Sequence, residues 1–148
     1  MAITGGNWIF FNEFKKQLGL KTVSLIGDTF KMALMPSTWT PNIDSEDDWS
    51  DISAQEISGN GYAQQTLGSK TWTRDDAADK VVWGAATASF GPASGGPITG
   101  RRAVIYDDTT TPKYLVAYCL LDATNQDVSA PDGVSLEVSL PSGIGALA

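Results

Sequence analysis

The densest group of chemically capable side chains is an acidic stretch in the first half of the chain. Asp44, Glu46 and Asp48 stand at alternate positions, as the first oxygen ligands of a calcium-binding loop do. Such a loop also needs glycine at its sixth position and glutamate at its twelfth, where this sequence has Trp49 and Gln55. We therefore predict a solvated acidic loop, and neither a metal nor another cofactor.

Pairs of carboxylates elsewhere raise the question of acid–base catalysis, because glycosidases use two such groups on either side of the bond they cleave. The adjacent pairs are Asp75 with Asp76 and Asp107 with Asp108. Both pairs stand at turn-like positions, where aspartate is favoured because its side chain accepts hydrogen bonds from the backbone. We predict a structural role for all four.

The composition removes most other enzymatic chemistry. The 148 residues include no histidine and one cysteine. Without histidine there is no Ser-His-Asp or Cys-His nucleophile and no imidazole ligand for a metal. Cys119 lies in the apolar run 114–121, which predicts a small buried core residue. We expect no enzymatic activity and no catalytic residues.

The charge limits the class of partner. Ten lysines and arginines against 17 aspartates and glutamates give a net charge of −7. Nucleic-acid affinity depends largely on basic side chains that contact phosphates, so this balance disfavours DNA and RNA as partners. The N-terminus has no basic region followed by a long apolar run, so we expect no signal peptide and no contact with a membrane.

Four side chains are candidates for contact with a protein partner. Trp39 and Trp49 lie in a polar segment, where large aromatic residues are better explained by a contact surface than by an isolated core. Arg101 and Arg102 are adjacent at the predicted start of a strand, where they could bind a carboxylate of a partner or form salt bridges within the chain.

The elements that would position these side chains are mostly strands. The spacing of aromatic and leucine residues predicts one amphipathic helix over 7–18, with Asn7 as its N-cap and Gly19 just past its end. Period-two patterns predict half-buried strands from Thr29 to Leu34 and from Val134 to Leu140. Two segments that are apolar on both parities, 102–106 and 113–121, predict central strands joined by a hairpin loop. Weaker patterns predict strands at 62–67, 70–74 and 80–85.

Two long connections interrupt this pattern. Residues 36–60 are acidic and polar, and a connection of this length is usually functional, disordered or ordered by a partner. Residues 91–100 are rich in glycine and proline, which predicts an exposed loop or mobile arm without regular structure. The fold class is therefore mainly β, an antiparallel β-sandwich or barrel with one short N-terminal α-helix and long loops, and 1–148 forms a single domain.

The order of these pieces carries a family resemblance that spans nearly the whole chain. It consists of an N-terminal aromatic segment, a strand, a variable acidic segment, a Gly-x-Gly-Tyr turn and a central hairpin. In this sequence they are Asn7–Asn12, Asp28–Leu34, residues 36–60, Gly59–Tyr62, and Arg102–Asp107 with Leu115–Tyr118. The chain resembles small structural proteins of the virions of tailed bacteriophages and prophages. It departs from their pattern in the insertion at 91–100.

The resemblance implies a capsid decoration or cement protein without catalytic residues. It implies that copies assemble in the host cytoplasm and bind the major capsid protein on the outer surface of the viral particle. Capsid symmetry then favours a homotrimer at three-fold positions, although a monomer or a dimer stays open. Two other functions also stay open: a tail-associated or fibre subunit for host attachment, and a carbohydrate-binding β-domain that stacks sugars on Trp39 and Trp49.

Overall fold

A computed structural model describes residues 1–4, 6–140 and 143–147 and confirms the mainly β fold class. Two short α-helices occur in this part of the chain, rather than the one expected, α1 at Asn12–Gly19 and α2 at Trp49–Ile52, and α2 is followed by a 3-10 turn at Ser53–Gln55. The strands β1 to β13 are Ala2–Thr4, Ile9–Phe10, Phe30–Met35, Gln65–Thr66, Thr71–Asp75, Lys80–Gly84, Ala88–Phe90, Ile98–Gly100, Arg102–Asp107, Leu115–Leu120, Val128–Ala130, Leu136–Ser139 and Gly145–Leu147.

The strands form four sheets, of which the largest is a five-stranded antiparallel sheet in the order β2-β10-β9-β3-β4. The smaller sheets have the orders β1-β12-β7, β13-β6-β5 and β11-β8. All described pairs are antiparallel except β1 with β12. The ring of Trp83 in β6 packs edge-on against Phe30 in β3, with 4.9 Å between ring centroids, so it joins a smaller sheet to the large one.

The central strands are buried on both faces, as their composition predicts. All residues of β9 after Arg102 are buried, and β9 and β10 form the expected hairpin. The half-buried strand expected at 29–34 is correct at its start, where Thr29 is exposed and Lys31 is partly buried, and wrong at its end, where Ala33 is buried. The cause is the 36–60 segment, whose Trp39 and Trp49 pack against Tyr118 and Tyr106 on this side of the sheet.

The N-terminal helix is shorter than predicted. The expected helix over 7–18 with an Asn7 cap is wrong at its start, because Ile9 and Phe10 form β2 and pair with Tyr118 and Ala117 of β10. Their backbone groups are therefore used in the sheet, and α1 begins only at Asn12. Its predicted end is correct to within one residue, since α1 ends at Gly19.

The glycine- and proline-rich segment is not the unstructured arm that its composition predicts. Its last three residues form β8, which pairs with β11, and the side chains of Ala93 and Ile98 are buried. The side-chain amide of Asn60 also donates to the Pro97 carbonyl at 2.7 Å. Glycine is required opposite this segment, because Gly61 has a φ of +77° and a Cβ there would lie 2.7 Å from a carbonyl oxygen.

Candidate binding surfaces

The acidic 36–60 segment covers one face of the large sheet instead of standing in solvent. Its backbone is tied to the sheet at three places, because Trp49 donates to the Lys113 carbonyl, Leu115 donates to the Asp47 carbonyl, and Ile57 donates to the Leu34 carbonyl. These bonds order the segment without a partner. The prediction of a solvated loop is wrong for its inner side.

The carboxylates of this segment cap backbone groups. Asp48 accepts a hydrogen bond from the Ser50 amide at 2.8 Å, and Asp51 accepts from the Asp48 amide at 3.2 Å, so the two form a capping box at the start of α2. Glu46 accepts from the Trp39 indole at 3.1 Å. Within residues 1–4, 6–140 and 143–147, no three acidic or cysteine side chains come together as ligands for a metal ion.

The two tryptophans attach the segment to the sheet. Trp39 is 1% exposed and packs edge-on against Tyr118, with 5.9 Å between ring centroids. Trp49 is partly buried and stacks on Tyr106, with centroids 4.5 Å apart and planes 15° from parallel. The expected exposed surface is therefore wrong for Trp39, whose ring faces its own core and offers no platform to a sugar. Contact of a partner with the outer side of this segment stays a prediction.

The two aspartates that follow β9 differ sharply. Asp108 accepts from Lys113, and this hydrogen bond holds the pKa of the carboxyl below its usual range. Asp107 is 0% exposed, and burial raises its pKa to about 6, with Asp28 adding to the effect. The Thr109 amide donates to Asp107 Oδ1 at 2.8 Å, whereas Oδ2 has no hydrogen-bond partner among the described residues. The turn-like role predicted for Asp107 is therefore correct for one oxygen only.

Cys119 is 0% exposed, as predicted for a core residue. Burial raises the pKa of its thiol to about 12, so the thiolate that reacts with oxidants and metals is scarce at neutral pH.

The two adjacent arginines have different partners in the structure. Arg101 forms an ion pair with Asp127, with 2.8 Å between Nε and the carboxylate oxygen. Arg102 has no carboxylate partner in the described part of the chain, and one of its terminal nitrogens donates to the Trp39 carbonyl at 2.5 Å. Salt bridging within the chain is thus correct for Arg101, and Arg102 keeps most of its donors for other acceptors.

The structure also contains an apolar groove that the sequence interpretation missed. The Trp72 groove, as we call it, is lined by Leu18, Ser24, Leu25, Ile26 and Trp72 and has a volume of about 320 Å³. Trp72 is 40% exposed and Ile26 is 50% exposed. The signal for this groove was present in β5, because Trp72 is the only apolar residue in the strand Thr-Trp-Thr-Arg-Asp.

The strand that carries Trp72 has an open edge. Among the described strands β5 pairs only with β6, and Thr71, Trp72, Thr73 and Arg74 are all exposed. An edge strand presents unpaired backbone donors and acceptors on its free side. The groove and this edge therefore offer both apolar surface and backbone hydrogen bonds to a second polypeptide.

Comparison with protein-family models, with curated proteins and with solved structures found no match to this chain. Neither helix that the structure describes has the length and hydropathy needed to cross a bilayer. The proposed function therefore rests on these surfaces together with the resemblance in sequence.

Proposed function

We propose that this protein is a structural subunit of a tailed-phage virion that binds the outer capsid surface across neighbouring major-capsid subunits and stabilises the shell. The resemblance described above supplies the class of particle. The observation that carries the proposal is the Trp72 groove beside the open edge of β5, because this is surface suited to another polypeptide.

The exposed fractions of Trp72 and Ile26 are large for apolar side chains that adjoin one another. Removing apolar surface from water contributes about 25 cal/mol per Å², and tryptophan is among the residues most enriched at the energetic centre of interfaces. A capsid subunit seated in the groove would cover both side chains. The free edge of β5 would add hydrogen bonds that fix its orientation.

Stabilisation of the shell follows from selective binding. A ligand that binds only the assembled state shifts the equilibrium toward that state, and a site spanning two capsid subunits exists only after assembly. Copies at three-fold positions would form the homotrimer that capsid symmetry favours. The net charge of −7 supports a partner that is protein rather than the packaged nucleic acid.

The experiment that tests this function measures binding of purified protein to bare capsid shells of the phage that encodes it. Trp72→Ala is expected to weaken binding at least tenfold, because it removes the largest side chain of the groove. Trp72→Phe keeps an aromatic ring in the groove and is expected to keep most of the affinity. Equal binding by the wild type and Trp72→Ala would contradict the assignment of the groove to the capsid contact.

A further inference from the structure

A second cavity, separate from the Trp72 groove, lies at the beginning of β9. This Arg102 cleft has a volume of about 510 Å³ and shares no lining residue with the Trp72 groove. The side chains that matter here come from four separate segments and are Asn7, Ile9, Thr40, Arg102, Tyr118 and Asn125.

The cleft holds a positive charge that no carboxylate among the described residues pairs with. Arg102 is partly buried, and burial lowers the pKa of its guanidinium, with the charge of Arg101 as the second cause. Although the chain has 17 acidic residues, none of them lines the cleft. Because a partly desolvated cation is costly without a counter-charge, the cleft favours an anion.

Polar groups around Arg102 are also open to a ligand. The side chains of Asn7, Thr40, Tyr118 and Asn125 make no hydrogen bond to other described residues. One guanidinium nitrogen of Arg102 is held by the Trp39 carbonyl, which fixes the direction of the planar fork. Two parallel N–H groups of such a fork match the two oxygens of a carboxylate.

The geometry points to the Arg102 cleft as a binding site for a carboxylate side chain in an acidic polypeptide segment of a partner. Ile9, Pro41 and Leu120 give the cleft apolar walls, and its volume is in the range of about 300–1,000 Å³ that holds a ligand larger than one carboxyl group. A peptide side chain with its neighbouring backbone would place the carboxylate on Arg102 and its aliphatic part on these walls. The polar amides of Asn7 and Asn125 would pair with the peptide backbone.

The test uses this protein and a short blocked peptide, acetyl-Ala-Glu-Ala-amide, titrated while the side-chain amide NMR signals of Asn7 and Asn125 in the cleft are followed. We expect saturable binding in the millimolar range and at least tenfold weaker binding of acetyl-Ala-Gln-Ala-amide, because a hydrogen bond between two charged groups is much stronger than one to a neutral amide. Arg102→Gln should abolish the response. Arg102→Lys should weaken it, because lysine keeps the charge but loses the fork.

Arg101→Gln is the matched control, since it removes an adjacent arginine that is already paired with Asp127. It should leave peptide binding within about twofold, because Arg101 does not line the cleft and its charge is already paired with Asp127. Three results would each overturn the proposal. They are equal affinity for the two peptides, a loss of peptide binding in Arg101→Gln as large as that in Arg102→Gln, and saturation by inorganic phosphate but not by the glutamate peptide. These titrations need no capsid, so they can fail while shell binding succeeds, and the reverse.

Discussion

Replacing Trp39 with alanine is expected to lower the free energy of unfolding by about 3–5 kcal/mol, the cost of removing a large aromatic side chain from a packed core. Trp39 is 1% exposed, packs against Tyr118 and donates its indole hydrogen to Glu46. Its loss leaves a cavity and removes one of the two tryptophans that attach the 36–60 segment to the sheet. Urea denaturation followed by circular dichroism measures the difference.

Trp72→Ala is the control for this prediction, because it deletes the same side chain from a site that is 40% exposed. We expect it to cost less than about 1.5 kcal/mol, since much of its surface is already in contact with water. Comparable losses in the two variants would show that Trp39 does not have the burial described here.

Replacing Asp107 with asparagine is expected to raise the free energy of unfolding by about 3 kcal/mol at pH 8. Burial raises the pKa of Asp107 from 3.8 to about 6, so the folded protein holds this proton more tightly than the unfolded chain. The contribution of Asp107 to the free energy of unfolding is therefore fully present below the pKa of the unfolded chain and is lost as the pH rises through about 6. Asparagine is neutral at every pH, can still accept from the Thr109 amide and can donate to Asp28.

The pH dependence gives this prediction a sign that can be checked. From pH 5 to pH 8 the wild type should lose about 1–2 kcal/mol through Asp107, and the advantage of Asp107→Asn should shrink as the pH falls. Asp108→Asn is the matched control: its carboxyl has a lowered pKa because of Lys113, so the same change should destabilise the protein at pH 8. A lower free energy of unfolding for Asp107→Asn than for the wild type at pH 8 would contradict a buried site that favours the neutral carboxyl.

Strands with strong patterns could be predicted from the sequence, and those whose pattern depends on tertiary contacts could not. The apolar composition of 102–106 and 113–121 correctly predicts β9 and β10, because each strand is covered on both faces. The pattern 62–67 yields only the two-residue β4, although the turn before it is correct. The helical spacing that begins at Trp8 predicts a helix through 9–10, but these two residues pair with β10, since a sheet partner supplied by distant sequence outweighs local periodicity.

The candidate sites show the same division. The sequence shows that Arg101 and Arg102 are both basic. It does not show which of them has an ion-pair partner, because that depends on Asp127, 26 residues away from Arg101. The residues around Trp39 in the sequence are polar, so the sequence predicts an exposed side chain. In the structure its ring packs against Tyr118 and is buried. Trp72 is the reverse case, because its place in a strand predicts a core or half-core residue and the structure leaves it 40% exposed.

Burial of Asp107 could not be predicted from its turn-like context. A hairpin start favours aspartate for its backbone hydrogen bonds, and Asp107 does accept from the Thr109 amide. Its carboxyl group, however, also interacts with Asp28, which is distant in sequence and is brought close by the pairing of β3 with β9. Only the sheet register places the two carboxyl groups together.

The most direct test of the proposed function is imaging of bare phage shells after incubation with the purified protein. We predict added density at regular capsid symmetry positions, with the Trp72 groove against capsid subunits. We also predict that the treated shells resist heating better than untreated shells. Density on the tail alone, or no density together with a tryptophan fluorescence change on addition of glycans, would contradict it.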